Sequence, residues 1–343
     1  MLGVLAVHAG AGWAQGGWVT LVAFFVLSGY LITALLLNEW DKRGRISLPN
    51  FYLRRARRLL PALFLVLVAI LIYEAVASHP IGTQHLHGLV AGTVFYYADF
   101  QASRGHVPLF SLLAHSYSLS IEEQFYFLWP LLLGLLLRMR ADRRLLALVT
   151  LALSIPPVML RQLMWHGPGS AVRLYYAPDT RYDALLLGCA LAIWLSSPDR
   201  RPVPRPALSA AAAISVLGLG ALFVGTDWHS EDTLRLWMTF AAVFSTAVLA
   251  VVVLAPDHPV SRVLAFTPFV RIGQVSYGIY LWHWPIFMIF NASTLGLPWW
   301  QTQLVRLALT GVMATGSYVL VEQRFLRRNK GESIAPVRTA VAA

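Results

Sequence analysis

The sequence predicts an all-α fold, a polytopic bundle of membrane helices, and three observations carry that prediction. Of 343 residues, 57% are hydrophobic and only 13% charged, against about 25% charged in an ordinary soluble domain. The mean hydropathy is +0.62. Apolar runs near the ~20 residues needed to cross a bilayer recur along the chain, bounded by charge or by Pro and Gly. They cover 19–38, 59–77, 120–137, 145–160, 183–196, 207–225, 236–255, 272–291 and 302–321. A first helix ending near His8 is too short to span and reads as truncated in this chain; with it the expectation is about ten helices. The stretch 86–100 is only moderately apolar and reads as a re-entrant or interfacial piece. No repeat of fixed period is present. Residues 1–330 form one membrane domain, and 331–343 read as a short disordered cytoplasmic tail.

Charge orients the bundle. The net charge is +11 and the pI 10.1. If the loop 39–58 is cytoplasmic and spans alternate from there, most of the 27 Lys and Arg fall on inner segments, so both termini are expected in the cytoplasm of a multi-pass cell-membrane protein. The cations are spread through several loops instead of covering one domain, which argues against nucleic acid as a partner. The single Cys189 excludes an internal disulfide and a cysteine-rich metal site, and no metal is expected. There is no Walker sequence, no G-x-G-x-x-G before a helix and no H-E-x-x-H, so neither an ATP-driven pump nor a zinc protease is supported.

Within this frame a few polar residues stand in apolar surroundings. In HSYSLSIEEQFYFLWP, 115–130, helical spacing puts Ser118, Glu122 and Tyr126 on one face and turns Glu123 about 100° away. Ser120 and Glu123 also have capping-box spacing, which leaves Glu122 for a site and assigns Glu123 to a helix start. FYLRRARRLLP, 51–61, carries Arg54, Arg55, Arg57 and Arg58 just before a span. These could fork onto a phosphorylated ligand, or anchor the helix against anionic lipid. His8 lies in VLAVHAG, where an ionisable side chain in a span is a functional candidate that could take a proton from a hydroxyl. Ser28 and Gly29 in FFVLSGYLIT read as close helix packing. In RYDALLLGCALA, Arg181 and Asp183 are two apart and cannot face each other on a helix, so each should pair elsewhere. In GQVSYGIYLWHWPIF, His283 stands among belt-type aromatics. Glu322 closes the last span in VEQRFLR, a pattern of inner-face anchoring.

Together these motifs resemble one family, the acyltransferase family 3 membrane proteins, which O-acylate sugars and other hydroxyl-bearing acceptors. FFVLSGYLIT, FYLRRARRLLPA, HSYSLSIEEQFYFLWP, RYDALLLGCALA, SYGIYLWHWP and VEQRF follow the family's order over nearly the whole chain. The resemblance implies transfer of an acyl group, acetyl in the first instance, from acyl-CoA to a hydroxyl of a sugar-containing acceptor. Acyl-CoA would be a co-substrate, with no bound cofactor; the other partners implied are a glycan or glycoside acceptor and membrane lipid. By residue, it implies His8 and Glu122 as catalytic and Arg54, Arg55, Arg57 and Arg58 as donor-binding. Ser118, Arg181, Asp183, Tyr277, His283 and Glu322 would support them. Three departures stand out. The family has an arginine roughly ten residues before the histidine, which the sequence from Met1 does not contain: either the true start is upstream or this copy has lost part of its machinery. Val22 replaces the aspartate of its G-V-D-x-F-F, and Tyr117 stands where tryptophan is usual. Two other classes remain open. A proton-coupled transporter or flippase of a glycan precursor could use His8, Glu122, Asp183 and His283 as a relay. A non-catalytic homologue acting as a membrane partner is motivated by Val22 and by the arginine missing from the sequence.

Overall fold

The computed structural model describes residues 1–327 except 79, 109–110 and 140–141; the expected tail lies outside the described residues. The chain is 80% helical, with no strand among the described residues. Among the described residues, six helical stretches are long and apolar enough to cross a membrane: Gly12–Arg43, Leu48–Val76, Arg143–Leu163, Arg205–Gly225, Thr233–Leu254 and Trp299–Phe325. The expectation of about ten spans is therefore met only in part. The run expected at 183–196 is the helix Tyr182–Leu195, and that at 272–291 is the helix Ser276–Ile289 preceded by a separate helix, Thr267–Gln274. At 14 residues each, Tyr182–Leu195 and Ser276–Ile289 are about 21 Å long, short of a ~30 Å hydrocarbon core. The segment 86–100 resolves into two short helices, Leu86–Val94 and Ala98–Ser103, separated where Tyr96 turns left-handed at φ 55°.

The helix expected at 120–137 runs Tyr117–Arg138 and is led in by a 3₁₀ turn, Ala114–Ser116. That turn moves the start upstream and overturns the capping-box assignment. Ser120 lies inside the helix, where its hydroxyl accepts from the Ala98 amide at 3.2 Å and donates to the Ser116 carbonyl at 3.4 Å. Two π-helical turns interrupt the regular pattern: Thr233–Trp237 opens the helix Met238–Leu254, and Tyr318–Glu322 follows the helix Trp299–Ser317.

The helices cluster into two compact units. The first holds Met1–Ala9, Ser47–Ser120 and the described part of Thr267–Pro336. Leu63, Val66, Leu67 and Ile70 of the helix Leu48–Val76 share a buried core with Leu112, Leu281, Ile286 and Phe287. A Cβ on Gly278 would sit 3.2 Å from the Ala314 carbonyl, so Ser276–Ile289 also lies close along Trp299–Ser317.

The second unit holds Gly10–Ile46 and Ile121–Phe266. Its axis is the pair Trp18–Arg43 and Tyr182–Leu195, packed backbone to backbone. A Cβ on Gly29 would meet the Leu185 carbonyl, and one on Gly188 the Val26 carbonyl. The Cys189 thiol reaches the Gly29 carbonyl at 3.4 Å. Ser28–Gly29 therefore marks close packing, as its small side chains predict. The stretch Arg143–Leu163 breaks at Leu153 and Ser154. Pro156 and Pro157 follow, and lacking N–H groups they cannot continue the hydrogen-bond ladder.

Candidate functional site

The first unit gathers three histidines that are far apart in sequence. His8 closes the helix Leu2–His8, and the loop after it is pinned by a hydrogen bond from the Trp299 indole to the Ala9 carbonyl at 3.0 Å. His283 is fully buried on the helix Ser276–Ile289. Its Nε2 lies 3.0 Å from Nδ1 of His8. The two rings are nearly parallel, 15° apart with centroids at 5.2 Å, and the Trp284 ring meets His8 edge-on at 4.7 Å.

The tautomers follow from the partners. Nδ1 of His283 faces two backbone carbonyls, Tyr280 at 2.6 Å and Ile279 at 3.1 Å. Carbonyls only accept, so this nitrogen carries the proton. In the neutral ring Nε2 must then accept from Nδ1–H of His8. That leaves the lone pair of His8 on Nε2. His8 is the partly exposed member of the pair, so the free lone pair belongs to the ring that a ligand can reach.

His115, which sequence reasoning passed over, is 5% exposed and lies 5.7 Å from the His283 ring, T-shaped to it. Neither of its ring nitrogens has a hydrogen-bond partner among the described residues by geometry; the Leu281 backbone acts on the ring. Its own carbonyl is an anchor, accepting from the Tyr280 hydroxyl at 2.7 Å and from the Ser118 hydroxyl at 3.3 Å. Ser118 and Tyr280 are also hydrogen-bonded to each other, and the Trp284 indole donates to the Ser111 carbonyl at 2.7 Å. The signal for His115 was present in its position: a histidine opening the serine-rich turn that precedes an apolar helix.

The basic motif belongs to the same unit. Arg54, Arg55 and Arg57 are partly buried and Arg58 is exposed, all on the helix Leu48–Val76. Arg58 acts electrostatically on Glu322, which also accepts from the Ser317 hydroxyl at 3.3 Å. The Tyr277 hydroxyl donates to the Leu59 carbonyl at 3.1 Å. Tyr277 and His283 ride on one helix, six positions apart and thus about 9 Å along its axis. The arginines and the histidines are two ends of one structure. Among the described residues, no group of His, Cys, Asp and Glu is arranged to hold a metal.

Glu122, Arg181 and Asp183 belong to the second unit. Glu122 is half-buried and stands one turn beyond Ser118 on the helix Tyr117–Arg138. Asp183 pairs with Arg161. The fork is bidentate, 3.1 and 2.6 Å, with Arg161 fully buried and Asp183 3% exposed. Arg161 also donates to the Thr180 carbonyl and to the Thr239 hydroxyl at 2.6 Å. Removing one member of such a pair strands the other charge, at a cost of about 3–5 kcal/mol. Arg181 is 2% exposed, with its guanidinium 5.0 Å from the Tyr175 ring and 5.6 Å from the Phe25 ring. It donates to the sulfur of Met238 at 2.7 Å. Nearby, burial and then the neighbouring Tyr175 push the Tyr176 phenol well above its ordinary range.

A family model described as an acyltransferase domain matches residues 1–322. The peptidoglycan O-acetyltransferase OatA of Listeria monocytogenes is 32% identical over 336 residues, 94% of this chain and 53% of that protein. The O-acetyltransferase OatA of Staphylococcus aureus is 29% identical over 331 residues, 94% of this chain and 55% of that protein. The chain thus spans about half the length of these curated relatives. No solved structure matches it. With the family match running from the first residue through Glu322, and so across both units, the chain belongs to the acyltransferase domain family.

Proposed function

We propose that the protein is a multi-pass membrane O-acyltransferase in which His8 is the general base. The observation that carries this is the hydrogen bond from His8 Nδ1 to His283 Nε2, with His283 held by backbone carbonyls. It fixes the lone pair of His8 on Nε2, the arrangement a hydroxyl-deprotonating imidazole needs.

In the reaction, the acceptor hydroxyl gives its proton to Nε2 of His8 while its oxygen forms a bond to the acyl carbonyl carbon. The bond from that carbon to the leaving sulfur breaks. The imidazolium returns its proton to the departing thiolate, so the base is regenerated. Acyl-CoA is the proposed donor, with Arg54, Arg55, Arg57 and Arg58 receiving its phosphates and the thioester extended along Ser276–Ile289 towards the histidines. The acceptor is a hydroxyl of a glycan, as the names of the relatives suggest, and no bound cofactor takes part. Glu122 is the second proposed catalytic residue. Both termini are cytoplasmic in this reading, which follows the positive-inside bias. The relay alternative gains nothing from Asp183, because both of its oxygens are held by Arg161.

Transfer from labelled acyl-CoA in membranes carrying the full chain tests the proposal. Loss of a general base lowers the rate about 10²–10⁴-fold, and His8→Ala is expected to fall in that range at unchanged expression. Full activity of His8→Ala would remove the base from His8.

A further inference from the structure

Arg181 is bracketed in sequence by two carboxylates, and neither serves it. Asp179 is taken by Arg173 in a bidentate pair at 2.9 and 2.7 Å, and Asp183 is taken by Arg161. What remains to Arg181 is the Met238 sulfur and the faces of Phe25 and Tyr175. Its Nη2 is buried and without a hydrogen-bond partner. A buried cation in that state is costly unless an anion joins it.

The surroundings say what kind of anion. Tyr175 stands at the start of an aromatic wall: Tyr176 lies 5.0 Å from it and Trp228 4.7 Å. The His229 ring lies tilted against Trp228, with centroids 3.5 Å apart. Trp228 is partly exposed and Arg181 buried, so the wall leads from the surface of this unit to the guanidinium. Aromatic faces take the apolar C–H faces of a ring, and a planar two-donor fork takes a carboxylate. We propose that Arg181, with the wall of Tyr175, Tyr176 and Trp228, is a binding site for an acidic saccharide whose carboxylate completes the orphaned guanidinium. The site stands on residues of the second unit alone; identifying its ligand with the acyl acceptor rests on the transferase reading above.

Thermal unfolding of the detergent-solubilised full chain tests this without reference to acyl transfer. D-Glucuronate is the probe, D-glucose the neutral control and inorganic phosphate the competing anion, all at one ionic strength. Glucuronate is expected to raise the midpoint by several degrees and glucose to leave it unmoved. Arg181→Gln should abolish the shift, while unfolding without ligand no earlier than the wild type, since no ion pair is lost. Arg181→Lys should keep part of it. A wild-type midpoint indifferent to glucuronate overturns the site, as does a shift that survives in Arg181→Gln. Stabilisation by phosphate alone, lost in Arg181→Gln, overturns the saccharide assignment in favour of a phosphate-bearing ligand. If Arg181→Gln does not fold, the contrast between glucuronate and glucose on the wild type decides the matter.

Discussion

The histidine cluster of the first unit and the arginine cluster of the second both set polar groups among apolar helices, but they are neutralised in different ways. Around His283 the partners are two backbone carbonyls and a second imidazole, so the His8–His283 pair is satisfied with neutral rings and leaves one lone pair over, on His8. Around Arg161 the partner is a full opposite charge in fork geometry, which uses both carboxylate oxygens and leaves only the guanidinium Nε–H without a hydrogen bond among the described residues. A network with a surplus acceptor suits proton transfer, whereas a closed ion pair suits architecture. The two clusters should therefore fail differently when cut.

The sharpest break is expected at Arg161. Arg161→Met strands the Asp183 carboxylate and should cost about 3–5 kcal/mol, seen as a lower unfolding midpoint in detergent. Arg161→Met with Asp183→Leu should recover most of that loss. Unaltered stability in the single variant would show that the pair is not architectural. Next is His283→Gln, which should lower kcat about 100-fold, some 2.7 kcal/mol, with little change in KM or in unfolding midpoint. A loss of stability without loss of rate would reverse the contrast between the clusters.

Packing sharpens the same comparison at a smaller scale. Gly188→Ala drives a methyl into the Val26 carbonyl and should cost about 2 kcal/mol. Gly278→Ala meets the Ala314 carbonyl at 3.2 Å and should cost less, so unfolding midpoints of the two variants rank the helix pairs. The smallest effect is expected at Tyr277→Phe, where loss of the bond to the Leu59 carbonyl should cost about 0.5–1.5 kcal/mol. A Tyr277→Phe variant as damaged as Gly188→Ala would place more of the fold's stability on that hydroxyl than one hydrogen bond supplies.

Much of this was legible in the sequence. The helical class followed from composition, and most of the long runs were bounded within a few residues because apolar length is a one-dimensional signal; the helix Leu48–Val76 starts eleven residues before its run, 59–77, because its first turns carry the arginines. The run 183–196 matches the helix Tyr182–Leu195 to within one residue, whereas 272–291 was overextended, because its apolar run continues across the break at Val275 between Thr267–Gln274 and Ser276–Ile289. The capping box misled because Ala114–Ser116 had already started the helix, a fact set by the turn and invisible in S-x-x-E spacing. His8 and His283 could be singled out one at a time as ionisable groups in apolar runs. Their contact spans 275 positions and no local pattern encodes it. Arg161 shows the same limit, since its partner lies 22 residues away across a helix break.

The π-helical turn Tyr318–Glu322 gives the end of the last long helix an unusual kind of information. It holds one more residue than an α-helical turn would, and each residue rotates a helix by about 100°. The Glu322 carboxylate meets the Ser317 hydroxyl five positions back because of that extra residue. Substituting Val319 or Leu320, both exposed, should leave the meeting intact, whereas deleting either would swing Glu322 to another face of the helix. At this place the residue count, more than residue identity, aims the carboxylate.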